Sequence, residues 1–398
     1  MKLVVFGLSV SSSWGNGHAV LWRALIRALA AEGHRVVFFE RDAPWYAQHR
    51  DLTQLEGGRL VLYGDWQAAR SEAAGELRDA DAAVVTSYCP DGVAATELLL
   101  DAACLHVFYD LDTPITLARL AAGEAVEAIG PRRLEPFDLV LSYTGGRALT
   151  ALQERLGARR VAPLYGSVDV ARYQPAAAPS GTRAALSYLG TYAADRQDKL
   201  EALLLEPARR RPELRFVIGG AQYPADFAWS DNIFFWRHVA PPEHPRFYAE
   251  ARATLNVTRR GMAESGWCPS GRLFEAAACG TPVLSDLWDG LDAFFQPDEE
   301  LLIVRSTEDV LAALDLPDAE LTRIGGAARA RTLADHTAER RAAELVRLLS
   351  TSTRHPGEDR DPCFRPSSGG PMDSGRSSSS GRPQTGPVGR NDGKVLET

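Results

Sequence analysis

Short apolar runs alternate with longer amphipathic stretches along most of this chain, and this alternation limits the fold more than any other feature. KLVVFG at the start is followed by HAVLWRALIRALAAEG, in which apolar residues recur at every third or fourth position, and then by RVVFFE. Short buried runs are typical of strands, and the wider spacing is typical of one helix face. The repeated strand–helix–strand order predicts an α/β fold of parallel sheets with helices on both faces.

The pattern begins a second time, which predicts two domains. A passage rich in Pro, Gly and Ala, residues 161–181, separates the halves, and AALSYLGTY restarts the alternation. We expect an N-terminal domain over 1–165, a C-terminal domain over 166–351 and a ligand cleft between them, because open parallel sheets bind ligands beyond the carboxyl ends of their strands. The last helix, HTAERRAAELVRLLS, is expected to pack back across the hinge. The segment 352–398 is rich in Ser, Gly, Pro and Arg and is predicted to be disordered.

Charge and composition argue against several classes of protein. The 398 residues include 44 Lys and Arg and 52 Asp and Glu, and the net charge of −8 disfavours non-specific binding to nucleic acid or anionic lipid. The cysteines are scattered without metal-ligand spacing, which favours a reducing, cytoplasmic location. The start MKLVVFGLSV predicts a buried strand rather than a signal peptide. No apolar run is long enough for a transmembrane segment.

The segment CPSGRLFEAAACGTPVLSD, residues 268–286, carries the strongest functional signal. Ser270 is suited to cap the following helix, and Gly271 and Arg272 put free backbone N–H groups and a cation at its start, an arrangement that attracts phosphate. Glu275 lies about one turn further, where a carboxylate can accept ribose hydroxyl groups. A capped helix in which Glu275 merely pairs with Arg272 fits these residues equally well.

The stretch LFEAAACGTPVLSD resembles the donor-site helix of GT-B glycosyltransferases, enzymes built from two Rossmann-like domains whose parallel sheets face a central cleft. The wider segment HVAPPEHPRFYAEARATLNVTRRGMAESGWCPSGRLFEAAACGTPVLSD, with ARARTLADHTAERRAAELV, resembles the CgeB-like (spore-maturation-type) glycosyltransferases. The resemblance covers about residues 185–350 well and the first half loosely. It implies that Glu275 holds the ribose of a UDP-, GDP- or dTDP-linked sugar.

One position departs from the pattern of related retaining enzymes. Those enzymes carry a second acid at the position that is Trp267 here, and the nearest acid in this chain is Glu264. The sequence therefore leaves open whether the configuration of the transferred sugar is retained or inverted.

Further candidates for donor binding follow strands of the second half. Arg196 and Lys199 lie three positions apart on one predicted helix face, where the resemblance implies cations for the diphosphate, and a solvated basic face is the alternative. Fixed charge of this kind stabilises a leaving nucleotide without a metal. No Asp-x-Asp lies in a donor-proximal loop, so we expect no metal site. His238, after the strand IFFWR, is expected to form a wall of the base site.

The loop GLSVSSSWGNGHAVLW after the first strand is predicted to form the opposite wall. Gly17 would let the backbone approach a ligand closely. His18 would face the cleft mouth, where an imidazole could remove the proton of an acceptor hydroxyl. Asp110 and Asp112 end a central strand and are expected on one face, and their position is that of the acid that orients a catalytic histidine in some inverting GT-B enzymes. The alternatives are a histidine that supports the loop and acids that contact sugar hydroxyls or cap a helix.

These observations predict a glycosyltransferase of the hexosyltransferase type. It would move a sugar from a nucleotide sugar to a hydroxyl of a small-molecule, glycan or protein acceptor, without a cofactor or metal and without a nucleic-acid partner.

Two alternatives stay open. A nicotinamide-dependent oxidoreductase would use Gly15 and Gly17 as a partial dinucleotide fingerprint and Glu40 as the ribose acid, although Val20 occupies the third glycine position. A catalytically silent nucleotide-sugar-binding protein would use the same cleft without turnover.

Overall fold

Two sheets of parallel strands organise the residues that the structure, a computed structural model, describes: 1–177 and 183–352. The segment predicted to be disordered lies outside the described residues from residue 353 onward, and so do residues 178–182 of the predicted linker.

The first sheet and its helices come from the first half of the chain. Its strands are β1 Lys2–Gly7, β2 Arg35–Arg41, β3 Gly58–Tyr63, β4 Ala82–Thr86, β5 Leu105–Asp110, β6 Leu139–Ser142 and β7 Val161–Pro163, in the spatial order β3-β2-β1-β4-β5-β6-β7. The helices are α1 Gly17–Ala31, α2 Pro44–Gln48, α3 Trp66–Leu77, α4 Gly92–Leu100, α5 Thr113–Ala121 and α6 Arg147–Leu156.

The second sheet repeats this organisation. Its strands are β8 Ala184–Leu189, β9 Phe216–Gly220, β10 Ile233–Arg237, β11 Ala251–Asn256, β12 Val283–Ser285 and β13 Leu302–Ile303, in the order β10-β9-β8-β11-β12-β13. The helices are α7 Gln197–Leu200, α8 Glu206–Arg210, α9 His244–Ala249, α10 Arg260–Ser265, α11 Gly271–Ala278, α12 Thr307–Leu314, α13 Asp318–Asp335 and α14 Ala338–Ser350. A single π-helical turn, Glu201–Leu205, joins α7 to α8.

Most strands are buried because helices cover both faces of each sheet, whereas the edge strands β3 and β10 are partly exposed. All six residues of β1 are buried, and alternate side chains enter different cores: Leu3 and Val5 on one face, Val4 and Phe6 on the other. Strand order reverses beside the first strand of each sheet, between β1 and β4 and between β8 and β11. Such switch points open a crevice at the carboxyl ends of the strands.

The predicted linker differs from the structure at its start. Residues Val161–Pro163 form the edge strand β7, which pairs with β6. A proline is tolerated there because an edge strand needs no further ladder hydrogen bond on its outer side. The passage between the two sheets therefore begins after Pro163.

The expectation that the last helix packs back on the first half is confirmed. Helix α14 contributes Ala338, Ala342, Leu345 and Leu349 to the core that also holds α1 and one face of the first sheet. The backbone N–H of Val168 donates to the carbonyl of His336, and the carbonyl of Val168 accepts from the N–H of Ala338. These two bonds fix the place where the chain crosses back to the first half. None of the helices in the described part of the chain combines the length and apolar character that a bilayer span requires.

We expect Leu345→Ala to destabilise the protein strongly because it empties a site in the N-terminal core. Leu345 is 2% exposed, and truncation of a buried leucine to alanine costs about 2–5 kcal/mol of unfolding free energy. Leu333→Ala is the control, since Leu333 is 38% exposed and should change stability by no more than about 0.5 kcal/mol. Urea unfolding followed by tryptophan fluorescence measures both variants. If the two variants lost the same unfolding free energy, α14 would not be part of this core.

Candidate functional site

One cavity of about 380 Å³ lies where the carboxyl ends of the two sheets meet. The loop after β1 and residues after β5 and β6 line one side. Loops after β8, β9, β10 and β11, and the start of α11, line the other. Both sheets thus direct their ligand-binding edges into the same space.

The start of helix α11 lines this cavity. Ser270 occupies the N-cap position as predicted, in extended backbone, but its hydroxyl makes no capping hydrogen bond. A Cβ added to Gly271 would meet no atom within 4 Å, so the helix start opens onto free space. The first N–H groups of a helix have no partner within the helix and carry its positive dipole end. This end of α11 is therefore suited to an anion.

Arg272 extends the positive charge of the helix start. Its guanidinium lies 5.3 Å from the centre of the Tyr188 ring, and its Nη1 donates to Asn256 Oδ1 at 3.3 Å. In the described part of the chain Arg272 forms no ion pair with Glu275. The alternative in which Glu275 merely pairs with Arg272 is therefore not supported.

Glu275 is held by other partners. Its Oε2 accepts from Tyr248 Oη at 3.3 Å and lies 3.2 Å from His244 Nδ1. Burial by itself would raise the pKa of Glu275, but His244, Arg272 and Tyr248 outweigh it, and the pKa lies below its ordinary value. Glu275 lines the cavity as a carboxylate.

His244 is a site residue that the sequence analysis missed. It opens α9 and lines the cavity, and its Nε2 lies 3.2 Å from the carbonyl oxygen of Val239. The only signal was a second histidine in FFWRHVAPPEHP, and no spacing in the sequence relates it to Glu275.

Arg196 and Lys199, which were predicted to share a face, separate in the structure. Arg196 ends a short 3₁₀ turn, lines the cavity and donates from Nη1 to the carbonyl oxygen of Thr191 at 3.1 Å. Lys199 lies outside the cavity lining and pairs with Asp286. Asp286 in turn accepts from the backbone N–H and the hydroxyl of Thr258. Lys199 thus stabilises, through Asp286, the loop that follows β11.

His238 forms part of the cavity wall and reaches across it. Its backbone has a positive φ of 53°, and its backbone N–H donates to the carbonyl of Gly220 at 2.7 Å. Its ring centre lies 4.1 Å from that of Trp14, which stacks on His49 at 4.6 Å. Burial lowers the pKa of His238. An aromatic stack therefore joins the two halves beside the cavity.

Gly17 and His18 begin α1 at the opposite wall. A Cβ on Gly17 would meet nothing within 4 Å. His18 Nε2 lies 3.6 Å from Asp112 Oδ2, and the ring of Tyr88 stacks on the imidazole at 5.8 Å between ring centres. This separation suits an ion pair but exceeds a hydrogen bond. The structure therefore brings His18 and Asp112 together.

Asp110 does not join them. The strand ends at Asp110, so the alternation of faces does not continue to Asp112, which lines the cavity while Asp110 has no exposed surface. Asp110 Oδ1 accepts from Thr116 Oγ1 at 3.0 Å and from the Asp112 backbone N–H at 3.2 Å. Its Oδ2 has no hydrogen-bond partner among the described residues. Burial raises the pKa of Asp110 to about 6.

Glu40, the acid on which the oxidoreductase alternative depends, is fully buried. Its carboxylate accepts from the hydroxyls of Ser9 and Ser11 and from the backbone N–H groups of Val10 and Ser11. These bonds fix the turn after β1 and occupy both oxygens. Glu40 is therefore not placed to bind the ribose of a dinucleotide.

Neither Trp267 nor Glu264 lines the cavity. Trp267 has a φ of 50°, its ring packs against Gly146 and Gly290, and its carbonyl accepts from the backbone N–H of Gly145 at 2.9 Å. Glu264 is exposed. Among the described residues, the carboxylates that line the cavity are Asp112 and Glu275. In the same residues, no group of three or more His, Cys, Asp or Glu side chains could hold a metal ion.

Comparison with known families adds a match over the second half. Residues 196–347 match a family model described as "Glycosyl transferase-like". A comparison with curated protein sequences gives no match.

Solved structures of similar fold cover nearly the whole chain. Sucrose-phosphate synthase from Thermosynechococcus elongatus superposes with a TM-score of 0.66 at 15% identity, over 88% of this chain and 99% of that one. An alpha-glucosyltransferase in complex with UDP gives 0.65 at 11% identity, over 88% and 100%. Anabaena Alr3699/HepE in complex with UDP and glucose gives 0.61 at 13% identity, over 88% and 99%. The chain therefore has the GT-B fold, and its second half matches the glycosyl transferase-like family.

Proposed function

We propose that this protein is a glycosyltransferase of the hexosyltransferase type, which transfers a sugar from a nucleotide donor to a hydroxyl group. The observation that carries the proposal is a single cavity with two chemically different walls. The start of α11, Arg272 and Glu275 form one wall, and the pair of His18 and Asp112 forms the other. The structural neighbours described with UDP or with UDP and glucose support this reading. Membership of the CgeB-like group is part of the proposal.

The donor would bind against the second half of the chain. Glu275 accepts the ribose hydroxyls, and His238 borders the base. The backbone N–H groups of Gly271 and Arg272, which follow the N-cap residue Ser270, donate to the diphosphate. Arg196 and Arg272 supply positive charge from two directions. Lys199 acts indirectly through Asp286, because it lies outside the cavity lining. Gly17 leaves room for the donor at the opposite wall.

His18 would act as the general base. With Nε2 directed at Asp112, its Nδ1 can take the proton of the acceptor hydroxyl, whose oxygen then attacks the anomeric carbon. The bond from that carbon to the diphosphate breaks, and the nucleoside diphosphate leaves with the electron pair. Asp112 orients the ring and stabilises the imidazolium. A single displacement of this kind inverts the anomeric centre. Among the described residues the carboxylates that line the cavity are Asp112 and Glu275, which this proposal assigns to His18 and to the ribose, so the lining offers no third carboxylate for a double displacement.

The charge of the leaving diphosphate would be stabilised by the protein itself. The guanidinium groups of Arg196 and Arg272 and a helix N-terminus line the cavity, and preorganised charge of this kind lowers the barrier without reorganisation. We therefore propose a reaction that needs neither a metal nor a further cofactor.

The acceptor wall favours an uncharged acceptor hydroxyl, on a small molecule, a glycan or a protein. Among the described residues, the arginines that line the cavity are Arg196, Arg259 and Arg272, all from the second half, and no lysine lines it. One structural neighbour is an alpha-glucosyltransferase described with UDP and a 13-mer DNA. The net charge of −8 and the absence of acceptor-side cations from the described lining argue against a nucleic-acid partner for this chain. A cytoplasmic location stays a prediction from the cysteine pattern.

We expect UDP, GDP or dTDP to raise the melting temperature of the protein, and NAD to leave it unchanged. Glu275→Gln should weaken binding of the stabilising nucleotide about 10- to 100-fold, because hydrogen bonds to a charged carboxylate are worth about 1.5–3 kcal/mol. Glu264→Gln is the matched control, since Glu264 is exposed outside the cavity lining. Stabilisation by NAD alone would contradict the proposal.

We expect His18→Gln to lower kcat for transfer from UDP-glucose to a hydroxyl acceptor by about 10²- to 10⁴-fold, the usual contribution of a general base. The dissociation constant of UDP should stay within about 3-fold, because His18 faces the acceptor side. His34→Gln, at a histidine bound to the amino terminus, should leave both values unchanged. A wild-type protein that binds nucleotide sugars without turnover on an acceptor panel would instead identify a silent binding protein.

Asp110, in this proposal, supports the backbone of Asp112 from inside the protein. Because its pKa is raised from 3.8 to about 6, its contribution to stability is complete below pH 3.8 and is lost as the pH rises through about 6. In Asp110→Asn this loss is absent. The variant's unfolding free energy relative to wild type should therefore increase by about 2 kcal/mol from about pH 4.5 to about pH 7.5.

Urea unfolding at both pH values measures this difference. Asp101→Asn, at an exposed position, serves as the control. Its unfolding free energy relative to wild type should be the same at both pH values. A difference in unfolding free energy between Asp110→Asn and wild type that does not change with pH would contradict the raised pKa of Asp110.

A further inference from the structure

His244 connects three parts of the molecule that border the proposed donor site. Its Nδ1 lies 3.2 Å from Oε2 of Glu275 in α11 and 3.2 Å from the hydroxyl of Tyr173, in the passage between the two sheets. Its Nε2 lies 3.2 Å from the carbonyl oxygen of Val239, after β10. The His244 side chain is 13% exposed, so these partners replace most of its hydration.

The partners determine which form of the ring fits. A carbonyl oxygen only accepts hydrogen bonds, so Nε2 must carry a hydrogen toward Val239. A neutral ring then has a lone pair at Nδ1, which would face the negative carboxylate of Glu275. The imidazolium has hydrogens on both nitrogens and satisfies Val239 and Glu275 together. The geometry therefore favours a protonated His244 beside an ionised Glu275.

Tyr173 provides the partner for the neutral ring. Its hydroxyl can donate to the Nδ1 lone pair when His244 has lost a proton. Glu275 Oε2 then loses its strongest donor and keeps the hydroxyl of Tyr248. The two protonation states of His244 thus correspond to two different arrangements around one carboxylate oxygen.

His244 and Tyr248 both contact Oε2 of Glu275, and the Tyr173 hydroxyl also interacts with this carboxylate. The side chain lines the cavity, so a ligand can reach the carboxylate. A carboxylate fixed through one oxygen presents the second in a defined direction. Such fixation reduces the entropy lost on binding.

Other titratable groups surround His244. They are Glu275 of α11, Tyr248 of α9, Tyr173 of the connecting passage, and His238 and Glu243 of the segment after β10. Arg272 acts on Glu275 from the other side of the carboxylate. Burial raises the pKa of Tyr173 and of Tyr248, so both hydroxyls stay protonated near neutral pH. Between about pH 5 and 8, histidine is the side-chain type that ordinarily changes charge.

We propose that His244 is a positioning residue whose protonated ring fixes Glu275 for recognition of the ribose hydroxyls and links it to the base-side loop at Val239. Recognition of ribose then weakens as His244 loses its proton. This inference rests on the proposed donor site.

Two substitutions separate the contacts of His244. In His244→Asn the shorter side chain can place an amide N–H near the position of Nδ1, toward Glu275. In His244→Gln the longer side chain can reach toward Val239 and leaves Glu275 without an N–H donor. Neither side chain titrates. Circular dichroism and the melting temperature establish that both variants are folded.

The measurement is the ratio of dissociation constants for 2′-deoxy-UDP and UDP, by calorimetry at about pH 6 and pH 8.5, with the GDP pair in parallel. Both ligands carry the same diphosphate, so its ionisation cancels in the ratio. For wild type we expect a ratio of about 10 or more at the lower pH and a decrease at the higher pH. His244→Asn should keep the ratio at both pH values, and His244→Gln should reduce it to within about 3-fold of unity at both.

The outcomes separate this inference from the proposed function. If neither UDP nor GDP binds the wild-type protein, the donor site fails and the inference fails with it. If a nucleotide binds with ribose preference, but the ratio is independent of pH in wild type or unchanged in His244→Gln, the donor site stands and the role of His244 is refuted. The pH series on wild type needs no substitution, so an unfolded variant does not prevent the test.

Discussion

Two parallel sheets can share one ligand only if the carboxyl ends of their strands are held facing each other, and the rest of the structure depends on this constraint. Helix α14 crosses from the second half into the core of the first, and the backbone of Val168 fixes that crossing. A backbone hydrogen bond from Gly145 to Trp267 joins the two halves at a second point. The cavity lies between these connections, so its two walls keep a defined relation while each domain supplies its own chemistry.

The walls differ in charge, and the proposed roles rest on this difference. All the cations that line the cavity within the described residues come from the second half, together with the open start of α11. The first half contributes a histidine beside a carboxylate. In a chain of net charge −8, this local concentration of positive charge attracts an anion to one wall only. A nucleoside diphosphate bound there would direct its sugar toward the other wall, where proton transfer from an acceptor is required.

The sequence predicted the fold well because its evidence is local: the strands of the second half and the parallel topology follow from apolar runs and helix periodicity. The edge strands give weaker signals: the residues of β3 are only partly buried, and β7 contains a proline and lies in the segment predicted as a linker. The site was harder to predict. The segment 268–286 is a contiguous motif that the sequence alone identifies, whereas His244 reaches Glu275 only through tertiary packing.

The periodicity of strands and helices also grouped residues that the structure separates. Strand alternation grouped Asp110 with Asp112, but the strand ends between them. Helical spacing grouped Lys199 with Arg196, but a 3₁₀ turn and the attraction of Asp286 separate them.

The account stands on the claim that the start of α11 receives a diphosphate between the two domains. A crystal structure of the protein with UDP tests this claim most directly. We expect the diphosphate oxygens within hydrogen-bond distance of the backbone N–H groups at Gly271 and Arg272, with the ribose hydroxyls on Glu275. A nucleotide bound elsewhere, with the start of α11 still facing solvent, would contradict it.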